Sequence, residues 1–171
     1  MTTPKVYVGT YAKYNNANLE GKWLDLSEYI DAEDFYKACA ELHSNESDPE
    51  FMFQDYEGFP EGMIGESFLN EDVWKWMELT EDEQQQYEAW ISITSCDTDD
   101  FDSTWSDAQD HFAGEYDDWN DYAYSCVEEG LFGEVAEGRL ANYIDYDAIA
   151  RDLEIEMSGV TINGKLFVFY P

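Results

Sequence analysis

Basic residues are nearly missing from this chain: 8 Lys and Arg stand against 40 Asp and Glu in 171 residues, a formal charge of −32. Nucleic acids and anionic membranes are held through a basic footprint, so direct binding of either is excluded. Cysteine is also scarce. Cys39, Cys96 and Cys126 include no CxxC pair, which argues against a disulfide framework or a zinc ribbon and for reduced thiols. The 2 histidines, His43 and His111, lie far apart without Cys or His companions at zinc spacing, and both are read as exposed polar residues, with no metal site expected. The run DTDDFDSTWSD lacks the glycine and closing glutamate of a calcium loop. GxSxG, GxGxxG and Walker A strings are absent, leaving nucleophile-elbow, dinucleotide and P-loop chemistry without support. No apolar run approaches the roughly 18 residues of a membrane span, and MTTPKVYVGTYAKY has no signal-peptide core. A cytoplasmic protein that is not an enzyme and carries no cofactor is expected.

What is present is a core. Hydrophobic residues make up 44% of the chain, with 6 Trp, 13 Tyr and 10 Phe, far too many for a disordered acidic tail. The charge is unevenly placed. Of the 40 acids only Glu20 lies outside residues 25–156. The stretch Asp97 to Asp121 holds ten acids without one Lys or Arg.

The patterning predicts an α+β fold in three small units: an N-terminal α+β domain over 1–61, a middle helical domain over 62–102 and a C-terminal α+β domain over 103–171. KVYVGTYA and LEGKWLDL read as strands joined by the turn-forming NNAN. Asp31 is placed to cap a helix over AEDFYKACAEL, where Phe35, Ala38, Cys39 and Leu42 recur at helical spacing. EFMFQDYEGF reads as a third strand and FPEGMIGE as a turn-rich boundary. Val73, Trp76 and Met77 mark a short helix. Thr80 with Glu83 has capping-box spacing, and Tyr87, Trp90, Ile91 and Thr94 form the inner stripe of the helix behind it, leaving Glu81, Asp82, Glu83 and Glu88 to solvent. Trp119, Tyr122, Ala123, Cys126 and Val127 mark a helix closed by Gly130, while Tyr146, Ile149, Ala150 and Leu153 mark another with Asp145 as its N-cap. Asn163 and Gly164 between apolar segments signal a type I′ hairpin.

The acids could serve as a decoy for DNA. Duplex DNA carries one charge per ~1.7 Å of axis, so 40 carboxylates match about 20 base pairs. Acids three or four apart on a helix have Cβ atoms about 5 to 6 Å apart, near the spacing of successive phosphates. A basic groove would exchange its mobile anions for fixed carboxylates. The competing readings are a mimic aimed at another basic DNA-binding protein and a halophile-type acidic protein with no inhibitory role. A carboxylate-pair hydrolase trails, because acids this abundant carry no pairing information.

The residues also resemble a known family. VYVGTYAKYN, LEGKWLDL, FQDYEGF and above all EEGLFGEVAEGRLANYIDYDAIARDL are similar to the ArdA antirestriction proteins, from about Val6 to Tyr170. Gly130, Leu131, Gly133, Leu140, Asn142, Tyr143, Ile144, Asp145, Tyr146, Ala148, Arg151, Asp152 and Leu153 stand where that family's antirestriction motif places them, while Ile149 and Ala150 stand where an aromatic residue and a glycine are expected. The resemblance implies an elongated dimer encoded on a mobile element. It also implies DNA mimicry that occupies the DNA groove of type I restriction-modification enzymes, at the methyltransferase core of modification and specificity subunits. The motif block is expected to support the fold or the homodimer. Contacts with the enzyme are expected at Glu81, Asp82, Glu88, Asp97, Asp99, Asp100, Asp102, Asp107, Asp110, Asp117, Asp118 and Asp121.

Crowded like charges make folding salt-assisted, since added ions shorten the Debye length from about 30 Å at ~0.01 M to about 8 Å at ~0.15 M. The melting temperature at neutral pH should rise by several degrees over that range; an unchanged value in a calorimetric salt series would show that the acids are not crowded.

Overall fold

The computed structural model describes residues 2–95, 100–133 and 138–171, with the backbone alone for 138–140. Cys96, Asp97, Asp99 and the side chain of Leu140 therefore lie outside the described residues. The chain is an α+β protein. Among the described residues its strands form two three-stranded antiparallel sheets, and the chain groups into two compact units. One comprises 2–84 with 100–101, the other 85–95 with 102–133 and 138–171.

In the first unit β1 (Lys5–Thr10) is central, between β2 (Lys22–Asp25) and β3 (Phe51–Glu57). Val6 pairs with Leu24 on one side and Tyr56 on the other. The strand is shorter than KVYVGTYA suggests. Thr10 turns its hydroxyl to accept from the Lys13 N–H at 3.3 Å, ending the strand and opening a short helix, α1 (Tyr11–Asn15), that the sequence reading missed. Helix α2 (Ala32–Leu42) follows its predicted bounds. Asp31 caps it by accepting from the Asp34 N–H at 2.9 Å, and Ala32, Phe35 and Cys39 are buried on its inner face. The Phe35 ring meets Tyr29, Tyr36 and Phe53 at centroid distances of 5.6, 5.5 and 5.9 Å. This aromatic cluster joins α2 to the sheet and supplies packing beyond simple area burial.

Helix α3 (Val73–Glu78) buries Val73 and Trp76. The capping box behind it is formed as predicted: the Thr80 N–H donates to Glu83 at 2.8 Å and the Glu83 N–H donates to Thr80 at 3.4 Å. It opens α4 (Glu81–Thr94). The inner stripe of α4 differs from the predicted one. Tyr87 is buried, but the second buried position is Ala89, and Thr94 is exposed. The reason is the partner surface: Ala89 with Trp90 and Ile93 packs on Phe167 and Phe169, which rotates the apolar face by one residue.

The second unit is organised by its last strand. β6 (Lys165–Phe169) lies between β4 (Phe112–Tyr116) and β5 (Ser158–Ile162). Side chains alternate across a strand, and here both faces are covered. Leu166 and Val168 pack with Tyr122, Ala123 and Cys126 of α6 (Trp119–Glu128) and with Ala150 and Leu153 of α7 (Tyr146–Glu156); Phe167 and Phe169 face Ala89. The hairpin closes at Ile162 and Lys165, with Asn163 and Gly164 at φ 51 and 85, the double left-handed turn that matches strand twist.

Helix α6 ends as predicted at Gly130. Its N–H bonds to the Val127 carbonyl at 3.1 Å and the Leu131 N–H bonds to Cys126 at 3.0 Å, a Schellman closure that needs the φ of 76 found at Gly130. Asp145 caps α7 by accepting from the Ala148 N–H at 3.0 Å. The sequence reading missed β4 and, before it, helix α5 (Phe101–His111).

Leu153 therefore serves the core of the second unit. Leu153→Ala should cost about 2–5 kcal/mol, read as a fall in denaturation midpoint with an unchanged m-value; a loss below about 1 kcal/mol would place Leu153 outside the core.

Candidate partner-binding surface

Helix α5 carries the acids most simply. Phe101, Thr104 and Ala108 are buried at helical spacing, which leaves Asp102, Asp107 and Asp110 exposed. Asp107 and Asp110 are three residues apart, so their Cβ atoms lie about 5–6 Å apart on one outward face. Asp100 is exposed just before the helix. The signal for α5 was available in the spacing of Phe101, Thr104 and Ala108, but the density of aspartates, poor helix formers, obscured it. At the start of α4, Glu81 and Asp82 are exposed as expected.

Three expected contact acids have structural work as well. Asp118 caps α6 by accepting from the Asp121 N–H at 2.9 Å, and the Asp121 carboxylate accepts from the Asp117 N–H at 3.0 Å. Asp117 pairs with Lys165 at 2.7 Å, with Glu115 a further 3.8 Å from the same ammonium. The bond from Asp117, then the charges of Asp117, Glu115 and Asp121, raise the Lys165 pKa. This corner is part-neutralised by the Lys165 ammonium.

Glu88 corrects the expectation of a solvent-facing acid. It is half-buried, burial raises its carboxyl above the ordinary 4.5, and among the described residues no hydrogen bond or ion pair compensates it. Of the motif residues, Asn142, Tyr143, Asp145, Arg151 and Asp152 are exposed. Ile144, Tyr146 and Ala148 are half-buried, the Tyr146 ring lying 5.5 Å from Tyr124, and Leu153 is core.

The histidines are corrected too. His43 is 1% exposed, held between Lys13 and the Val8 carbonyl at 2.9 and 3.3 Å. Sequence spacing gave no sign of this, because its partners come from 30 and 35 residues away. His111 is half-covered, stacked on Trp90 at 4.9 Å. Among the described residues no group of three or more His, Cys, Asp or Glu is arranged to hold a metal, and no helix is long and apolar enough to cross a membrane. Burial pushes the Cys39 thiol up to about 12 and raises that of Cys126, so neither supplies a thiolate nucleophile at neutral pH.

Fold and surface define an acidic α+β protein in which packed aromatic cores carry exposed carboxylates. The antirestriction protein (ArdA) family model matches residues 6–168. The chain belongs to this family of antirestriction proteins, which ties it to restriction-modification enzymes as an inhibitor. A search among curated proteins finds no match to the chain.

A group whose folded pKa is raised stabilises fully below its unfolded pKa and loses that contribution as pH rises through the raised value. Ionised Glu88 therefore weakens the fold at neutral pH. Glu88→Gln should raise the melting temperature by a few degrees at pH 7, with the advantage disappearing below pH 4.5; equal melting at both pH values would mean that water solvates the carboxylate fully.

Proposed function

We propose that the chain inhibits type I restriction-modification enzymes by presenting the charge of B-form DNA to their DNA-binding groove, at the methyltransferase core of modification and specificity subunits. The observation that carries this proposal is the outward aspartate face of α5, Asp102, Asp107 and Asp110, on a helix whose other side is packed. Fixed acids spare the ordering cost that a flexible acidic tail would incur on binding. Family membership supplies the direction toward restriction. No bond is made or broken, so restriction and modification, which share the groove, are both blocked.

The contacts in this proposal are Glu81, Asp82, Asp100, Asp102, Asp107, Asp110, Asp117, Asp118 and Asp121, with Asp97 and Asp99 among them by sequence. Glu88 contributes less, being half-buried. Residues 62–102 act as the middle of three domains, and 103–171 make the homodimer, with the motif's exposed Tyr143, 82% accessible, as a contact. A dimer doubles the charge to that of about 40 base pairs.

The test is displacement of a fluorescent duplex bearing a type I target from the purified methyltransferase core at moderate salt. Displacement should saturate at one dimer per DNA site, weaken steeply with added salt, and decline in steps as Asp102, Asp107 and Asp110 become Asn. Failure to displace from several such enzymes, or abolition by one of these substitutions alone, would overturn the proposal.

A further inference from the structure

The first unit buries a group of polar side chains remote in kind from the anionic surface. Thr10 and His43 are 0% and 1% exposed, and the side chains of Lys13 and Glu46 keep only 14% and 18% of their surface. Lys13 Nζ lies 2.9 Å from His43 Nδ1. An ammonium has donors and no acceptor, so Nδ1 must accept. The ring is therefore neutral, with its proton on Nε2, which faces the Val8 carbonyl at 3.3 Å. Glu46 Oε1 accepts from the Thr10 hydroxyl at 2.9 Å and stands 3.7 Å from Lys13 Nζ.

These bonds connect separate pieces of the fold. Val8 and Thr10 belong to β1 and Lys13 to α1. His43 caps the end of α2, its own N–H bonding to the Cys39 carbonyl at 3.2 Å. Helix α1 has five residues and buries none of them, too short to hold itself. Two contacts tie it to the unit: the Tyr11 N–H donates to the Glu50 carbonyl at 3.0 Å at its start, and Lys13 reaches His43 at the end of α2.

We propose that the Lys13–His43 hydrogen bond is a proton-operated latch, closed with neutral His43 and released when Nδ1 takes up a proton, which loosens α1 from the end of α2. Protonation turns the acceptor into a second cation facing the ammonium at 2.9 Å, in a place where burial of the ring and most of the Lys13 side chain weakens screening by water.

The groups around the ring divide by sign. Lys13 from α1 and burial oppose the imidazolium. The Val8 carbonyl from β1, Glu46 after α2 and Glu20 after α1 favour it, and the Phe51 ring from β3 covers the imidazole at 6.3 Å without charge. Burial, then Lys13, prevail and hold His43 below its ordinary 6.5. A lowered folded pKa gives stability that is complete above 6.5 and is lost as pH falls through the lowered value. The crowded acids respond with the opposite sign, gaining stability as pH falls, so comparison with a variant separates the two.

The experiment is hydrogen exchange of the α1 amides, corrected for intrinsic rate, from about pH 7.5 to about pH 5, together with NMR titration of His43. In the wild type, α1 protection should stay level above 6.5 and then fall, approaching about tenfold per pH unit as the pH drops below 6.5 toward the lowered His43 value. His43→Gln keeps an acceptor for Lys13 and a donor for Val8 but takes up no proton, so its protection should stay level. Lys13→Met should move the His43 titration up toward 6.5. Identical pH dependence in wild type and His43→Gln would overturn the latch, as would a wild-type His43 that titrates at or above 6.5. Should His43→Gln fail to fold, the titration and its shift in Lys13→Met decide alone.

Discussion

Mutual repulsion among 40 carboxylates, with 8 basic residues to offset them, is the constraint on which the rest of the structure depends. Net charge of this size works against any compact state. The opposing force has to come from apolar burial, and the chain concentrates it where each residue counts most. β6 buries Leu166, Phe167, Val168 and Phe169 in succession, using both faces of one strand. In the first unit Phe35 sits fully buried among four aromatic rings, those of Tyr29, Tyr36, Phe53 and Trp74. Aromatic residues carry large buried area per residue, which is why a chain so rich in Asp and Glu is also rich in Trp, Tyr and Phe.

Many acids also stabilise the helices they sit on. Asp31, Asp118 and Asp145 cap α2, α6 and α7, and Glu81, Asp82 and Glu83 fill the first turn of α4. An N-terminal carboxylate meets the positive end of the helix dipole, for about 0.3–1 kcal/mol each. The complementary device is missing: α2, α4, α6 and α7 have no basic residue in their last turns. Gly130 and the buried His43 close two of those ends instead. Local capping thus turns part of the acidity from a burden into support.

The elements legible in the sequence were those announced by a local signature. Asp31, Thr80 with Glu83, Gly130 and Asn163–Gly164 each act through neighbours a few residues away, and each was found where predicted. What escaped depended on distant partners or on a masked signal. The Thr10 cap broke a strand pattern that otherwise ran on; aspartates hid the helical spacing in α5; and β4, FAGEY, is a strand because β6 pairs with it. The burial of His43 and the partial burial of Glu88 are tertiary facts with no local marker. Exposed acids at Glu81, Asp82, Asp102, Asp107 and Asp110 were legible, since polar positions of an amphipathic helix face water by default.

Repulsion in the free protein and affinity in the proposed complex are two sides of one quantity. A partner that binds the folded state alone stabilises it by mass action, and a basic groove does so by supplying the cations that the chain lacks. Acids left uncompensated in the free protein gain most from such a groove. Asp107 and Asp110 are of this kind, with no ion pair among the described residues. At the corner of β4 and α6, Lys165 already occupies Asp117 and Glu115, so an incoming cation there must displace one already in place. Affinity in the proposed complex therefore comes more from the α5 face than from the Lys165 corner, although the two are equally acidic in sequence. Density of charge along a chain is a poor guide to binding when some of that charge is already spent inside the fold.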